Sequence, residues 1–125
     1  YTIAREPIQE GLRKVAMPFA VTDVAQAAGV ASLAAEDELQ ARIDVLIAER
    51  TRVEAALADQ GWYVTPSQAN FTWLQLGDNA EAVAAHLTAR GIIVRPFAGY
   101  GIRITIGDPE ANDAVLAALA DAPRG

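Results

Sequence analysis

"GIRITIGDPEAND", residues 101–113, holds two elements side by side. Ile102, Ile104 and Ile106 alternate with Arg103 and Thr105, the period of a strand with one apolar face. Asp108 followed by Pro109 is then an N-cap and first-turn pair that opens a helix, in which Val115, Leu116 and Leu119 face inward. A half-apolar strand running into an amphipathic helix predicts a sheet layered against helices. It also raises a question, because the same alternation sends Arg103 to the side opposite the isoleucines.

Working outward from that stretch, the chain reads as elements without a linker between them. "EPIQEGLRKV" places Ile8, Leu12 and Val15 at helical spacing with Pro7 in a first turn, and Met17-Pro18 ends it. Thr22 is a plausible N-cap for a helix over 23–34, whose small face of Ala25, Ala28, Gly29 and Ser32 expects a closely packed neighbour. Across residues 36–61, Leu39, Ile43, Leu46, Val53 and Leu57 mark one face of a long helix stopped by Gly61, with Glu38 and Arg42 paired on its solvated side.

Beyond Gly61 the period becomes alternating. "WYVTP" and "NFTWLQLG" read as strands, the second with Phe71, Trp73 and Gln75 on one face and Thr72, Leu74 and Leu76 on the other. Asp78 or Asn79 is expected to cap a helix running to about Arg90 and closed by Gly91. "IIVRP" is a strand expected to stop at Pro96, and "FAGYG" is a turn before the strand that opened this section. The order is three helices, two strands, a helix, two strands and a helix. It predicts an α+β fold: a small sheet of about four short strands with helices packed on one face.

Composition sets limits on function. At 125 residues and 52% apolar, the chain suffices for one core that buries roughly two-thirds of its unfolded surface. No apolar run reaches a bilayer-spanning length and the start has no signal-peptide pattern, so the expectation is a soluble, cytoplasmic protein. The absence of cysteine and the single histidine exclude thiolate and polyhistidine metal sites, and no metal is expected. A net charge of −6 with no basic patch argues against nucleic acid.

Within these limits Arg103 has two readings. It is either an arginine on a solvated sheet face or an anion receptor, whose planar fork suits a carboxylate or phosphate and whose base a strand holds firmly. Arg95, near the end of the neighbouring strand, is a second anion contact or a structural ion pair. Asn70 reads as a turn-former, Phe19 and Tyr100 as cleft or turn packing, and His86 as a partly exposed helix residue without a metal-ligand partner.

"ANFTWL", "ARGIIVRPF" and "GIRITIGDPEAND", in this order and separation, resemble the C-terminal small domain of fold-type I pyridoxal-phosphate aminotransferases of the histidinol-phosphate aminotransferase branch. "LRKVAMPFAVTDVAQAAGVASL" is similar to the helices that leave the large domain in that branch, and "PSQANFTWLQLG" resembles the aromatic amino acid (phenylalanine) aminotransferases more closely. The resemblance covers essentially the whole chain. It implies that residues 1–20 leave the large domain and that 21–125 form the small domain, with Tyr1 just after the family's "L-R-x-G-Y" segment.

It further implies that Arg103 grips the substrate carboxylate and that Arg95 is a second substrate contact. The cofactor, pyridoxal 5'-phosphate, would be bound by a large domain outside this sequence, where the family's Schiff-base lysine, pyridine-nitrogen aspartate and phosphate cup reside. The only lysine here, Lys14, reads as a surface residue, so no catalytic or cofactor-binding residue is expected in the chain. The intact protein would be a homodimer in amino-acid biosynthesis, exchanging an amino group between an aromatic amino acid and a 2-oxo acid. Histidinol phosphate is the alternative substrate. The alternative of another class is a non-enzymatic α+β module that senses amino acids.

Overall fold

Strand β4 (Gly101–Thr105) is the element around which the sheet is assembled. In the computed structural model, which describes residues 3–17 and 20–124, it lies between β2 (Phe71–Gln75) and β3 (Arg95–Phe97), with β1 (Val64–Thr65) beyond β2. All three pairings are antiparallel, and the sheet order is β1-β2-β4-β3. Its register sets Thr72 against Ile104 and Leu74 against Ile102 on one face. The other face carries the row Thr65, Trp73, Arg103 and Arg95.

The chain divides into two compact units, Tyr1–Leu39 and Gln40–Gly125. The first contains α1 (Glu6–Val15), α2 (Asp23–Ala34) and the start of α3 (Glu36–Asp59). Thr22 Oγ1 accepts from the Ala25 N–H at 3.2 Å, the expected cap of α2. No residue of α1 or α2 is buried, and open space surrounds Gly29. The neighbour expected against the small face of α2 is therefore not among the described residues; methyl groups and hydrogens gain burial only when another backbone is brought to them. Pro18, the expected end of the first helix, lies outside the described residues, and α1 ends at Val15 with Ala16, in extended conformation, as its C-cap.

The second unit contains the sheet and three helical segments, all on the face of Thr72 and Leu74. Val53 and Leu57 of α3, Val83 and Leu87 of α4 (Ala80–Thr88), and Val115 and Leu119 of α5 (Pro109–Ala120) join Leu74, Ile102 and Ile104 in one apolar cluster. Asp108 Oδ1 accepts from the Ala111 N–H at 2.8 Å, with Pro109 in the first turn of α5. Upstream, Leu39 and Ile43 of the predicted α3 stripe are exposed. The helical position between Leu46 and Val53 in that stripe is filled by Arg50, buried with Nη1 donating to the Ala69 carbonyl at 2.7 Å.

Three local expectations are corrected. Pro96 does not stop a strand at residues 92–96 but lies inside β3, paired with Ile102. This is tolerated because β3 is an edge strand, where a missing N–H need not break a ladder on both sides. Neither Asp78 nor Asn79 caps α4 through its side chain. A 3-10 turn, Gly77–Asn79, leads into the helix instead, the Gly77 carbonyl accepting from the Ala80 N–H while Asn79 Nδ2 donates to the Pro123 carbonyl at 2.8 Å. The helix ends at Thr88 rather than Arg90. Gly91, at φ 77°, supplies the left-handed residue that lets the Ile92 N–H return to the Leu87 carbonyl at 3.0 Å.

Candidate functional site

Because β2 and β4 alternate in register, covering one side of the sheet with helices leaves the other side as a surface of aromatic rings and guanidinium groups. Arg103 stands in its middle, half-buried, with Cζ 5.5 Å from the centre of the Phe71 ring. Arg95, its direct partner across β3 and β4, is exposed, with Cζ 5.3 Å from the Phe97 ring. Trp73, the partner of Arg103 on β2, tilts its ring at 60° to Phe97 with centroids 5.4 Å apart.

Two arginines at registered positions on neighbouring strands repel one another. Four of the chain's other arginines show how such charge is answered elsewhere in the fold. Arg52 bonds Glu49 and Asp113, Arg90 bonds Asp121, Arg50 bonds the Ala69 carbonyl, and Arg124 bonds the Gln60 carbonyl while stacking on Trp62 at 3.7 Å. Among the described residues, neither Arg95 nor Arg103 has a carboxylate within ion-pair distance. The Arg103 Nε is moreover buried without a hydrogen-bond partner. Two adjacent, unneutralised guanidinium groups beside apolar rings can receive a carboxylate or a phosphate, with the rings lowering competition from water.

The remaining predicted residues separate from this face. Tyr100 is 73% exposed; only its backbone is engaged, its carbonyl accepting from the N–H groups of Leu76 and Gly77 at 3.0 and 2.9 Å. The Asn70 carbonyl accepts from the Ile106 N–H at 3.0 Å, which fits its reading as the residue that turns the chain into β2. Phe19 lies outside the described residues.

His86 is more engaged than its sequence implied. Nε2 lies 2.9 Å from the Ala118 carbonyl and 3.2 Å from Asp121 Oδ1, and Nδ1 lies 3.2 Å from Arg90 Nη1, so the ring ties α4 to α5. Partial desolvation opposes the Asp121 charge, but the Arg90 guanidinium and the His86 contact outweigh it and hold this carboxyl below its ordinary range. No group of three or more potential metal ligands occurs among the described residues.

Pyridoxal phosphate, which the resemblance implies, does not fit the residues of this chain. Lys14 is 71% exposed and paired with Glu10 at 3.0 Å on α1, with no phosphate-binding loop beside it. What the chain offers on its open face is a pair of guanidinium groups, Arg95 and Arg103, with no carboxylate in ion-pair reach among the described residues.

Sequence reasoning placed Arg103 and Phe71 correctly by face but missed how Trp73, Phe97 and Gly101 come together. A Cβ on Gly101 would collide with the Leu74 carbonyl oxygen and lie 2.9 Å from Trp73 Cζ2, so the bare glycine seats the indole. The signal for Arg50 was present, since it fills the helical position between Leu46 and Val53 in an otherwise apolar stripe.

Comparisons with known proteins bear on this face. The family model described as aminotransferase class I and II matches residues 1–119. The aromatic amino acid aminotransferase of Streptomyces avermitilis is 53% identical over 116 residues, 93% of this chain and 32% of that protein. The enzyme of the same name from Thermobifida fusca is 48% identical over 124 residues, 99% of this chain and 34% of that protein. Among solved structures, the histidinol-phosphate aminotransferase of Sinorhizobium meliloti, in complex with pyridoxal-5'-phosphate, superposes with a TM-score of 0.74 at 28% identity. That match covers 90% of this chain and 33% of the other. The chain thus spans about a third of the length of the curated relatives it matches. Among its described residues no helix is long and apolar enough to cross a membrane.

Proposed function

The chain belongs to the class I and II aminotransferases, and we propose that it is the substrate-carboxylate-binding small domain of a pyridoxal-phosphate-dependent transaminase. In this reading the intact protein is a cytoplasmic homodimer that moves an amino group between an aromatic amino acid and a 2-oxo acid in amino-acid biosynthesis. Residues 1–20 are the segment that leaves the large domain, and 21–125 are the small domain. The observation that carries the reading is Arg103: half-buried on a strand, away from the helices, with Nε unpartnered and no carboxylate in reach among the described residues. Fixing one end of an amino acid in such a fork orients the remainder for reaction, which converts binding energy into positioning.

The aromatic donor is favoured over the histidinol-phosphate alternative by relatives near 50% identity whose names specify aromatic amino acids. The adjacency of Arg95 and Arg103 is the feature that keeps a phosphate-bearing substrate in view. A non-enzymatic sensor has no comparable support. Absorption of the full-length protein with pyridoxal phosphate, followed by half-reactions with phenylalanine and with histidinol phosphate, separates the three. Cofactor colour that is discharged by phenylalanine is the expected result, discharge only by histidinol phosphate selects the alternative, and no cofactor spectrum selects the sensor. In that protein Arg103→Ala should weaken amino-acid binding by about 2–5 kcal/mol, as when one partner of a buried charge pair is truncated. Unchanged affinity would reject the role.

A further inference from the structure

The two cations of the open face lean apart. Arg95 turns toward Phe97, which is registered with Gly101 at the start of β4, and Arg103 turns toward Phe71, which is registered with Thr105 at its end. Each guanidinium therefore lies beside a ring of its own, which eases the repulsion between like charges at registered positions.

For Arg103, register alone does not select the ring. Its direct partner on β2 is Trp73, and Phe71 is only the diagonal neighbour. The indole is engaged elsewhere: it tilts against Phe97 at 5.4 Å and leans to Gly101, where an added Cβ would stand 2.9 Å from Cζ2. Diagonal pairs remain within reach of aromatic and long side chains, and the Phe71 ring lies 5.5 Å from Arg103 Cζ. Arg103 Nε is buried there without a hydrogen-bond partner. An anion cannot meet that edge of the guanidinium, so the fork open to it is the end-on pair, Nη1 and Nη2.

We propose that Phe71 is a positioning residue that seats the Arg103 guanidinium and presents its two terminal nitrogens, so that a carboxylate is received end-on. This rests on the reading that Arg103 binds the substrate carboxylate. Because Phe71 acts through Arg103, its effect falls on ligands that carry a carboxylate and spares those that do not.

The test uses the full-length protein with its cofactor and two probes cut from phenylalanine. Hydrocinnamate keeps the carboxylate and lacks the amine; phenethylamine keeps the amine and lacks the carboxylate. Phe71→Leu retains apolar bulk but loses the aromatic face. It should raise the inhibition constant of hydrocinnamate about two- to five-fold, the value of an exposed cation–π contact, and leave phenethylamine binding unchanged. Phe71→Tyr, which keeps the ring, should restore the parent value. In an Arg103→Ala background, Phe71→Leu should add nothing further. If the leucine variant does not fold, Phe71→Ile, a better strand former, takes its place.

An unchanged hydrocinnamate constant in Phe71→Leu, an equal weakening of both probes, or an effect that multiplies in full onto that of Arg103→Ala overturns the positioning role while leaving Arg103 as the carboxylate contact. Arg103→Ala with unchanged hydrocinnamate binding overturns the underlying reading, and the role of Phe71 with it.

Discussion

The two faces of the sheet are built from the same strands, one residue out of phase, and they meet opposite requirements. On the helix-covered face Leu74 and Ile102 are 0% exposed within an apolar cluster, with Thr72 buried on the same face and its hydroxyl without a partner. On the open face the same two strands present Trp73 and Arg103, with rings against guanidinium groups and no carboxylate in reach among the described residues. The covered face shows what holds the second unit together. The open face carries charge that the described part of the fold does not answer, the feature on which the proposed substrate-binding role rests. Buried apolar side chains contribute stability wherever they are; an unneutralised arginine pair lowers it until an anion arrives.

Substitutions can break this comparison or sharpen it. The largest effect on folding should come from the covered face: Leu74→Ala opens a cavity in the cluster shared by three helices, and the full-length protein should lose about 2–5 kcal/mol in urea unfolding. Its open-face counterpart, Arg103→Ala, should leave the urea midpoint unmoved or slightly raised while substrate affinity falls. If instead Arg103→Ala destabilises the protein as Leu74→Ala does, the two faces are not distinct in role.

A smaller effect is expected at Asp108, which caps α5 against the covered face. Asp108→Ala leaves the Ala111 N–H without its partner and should cost about 1 kcal/mol in the same assay, with substrate KM unchanged.

The smallest effect concerns Glu49, which links α3 to α5 through Asn112. Its carboxyl is held below the ordinary glutamate range by hydrogen bonds from Arg52 first and from Asn112 second. A lowered carboxyl contributes stability above its unfolded value, about pH 4.3, and loses it as the pH falls through the folded value. Glu49→Gln should therefore be slightly less stable than the parent at pH 7, and the gap should close on acidification to pH 3. A gap that persists at pH 3 would assign the contribution to packing instead of charge.

Much of the architecture was legible along the chain. The caps of α2 and α5, the order of elements and the faces of β2 and β4 all follow from local chemistry: a hydroxyl or carboxylate before a helix, and alternation at a period of two. Where legibility ended, a partner from elsewhere had intervened. Pro96 was expected to stop a strand, and only the sheet order reveals that its strand is an edge where proline is tolerated. Asn79 was expected to cap its own helix, but its amide is taken by Pro123, 44 residues away. Arg50 sits in the helical row of Leu46 and Val53, and only the tertiary structure supplies its partner, the Ala69 carbonyl at the entry of β2.

By itself the sequence determined that Arg103 leaves the apolar face, because alternation is a property of one strand and needs no partner. It determined the helix starts for the same reason, since a cap acts within a few residues. Tertiary structure alone decided that Arg95 stands opposite Arg103, that Trp73 reaches Phe97 across a glycine, and that neither guanidinium meets a carboxylate among the described residues. Register joins residues distant along the chain, and one step of slip would carry every side chain of a strand to the other face.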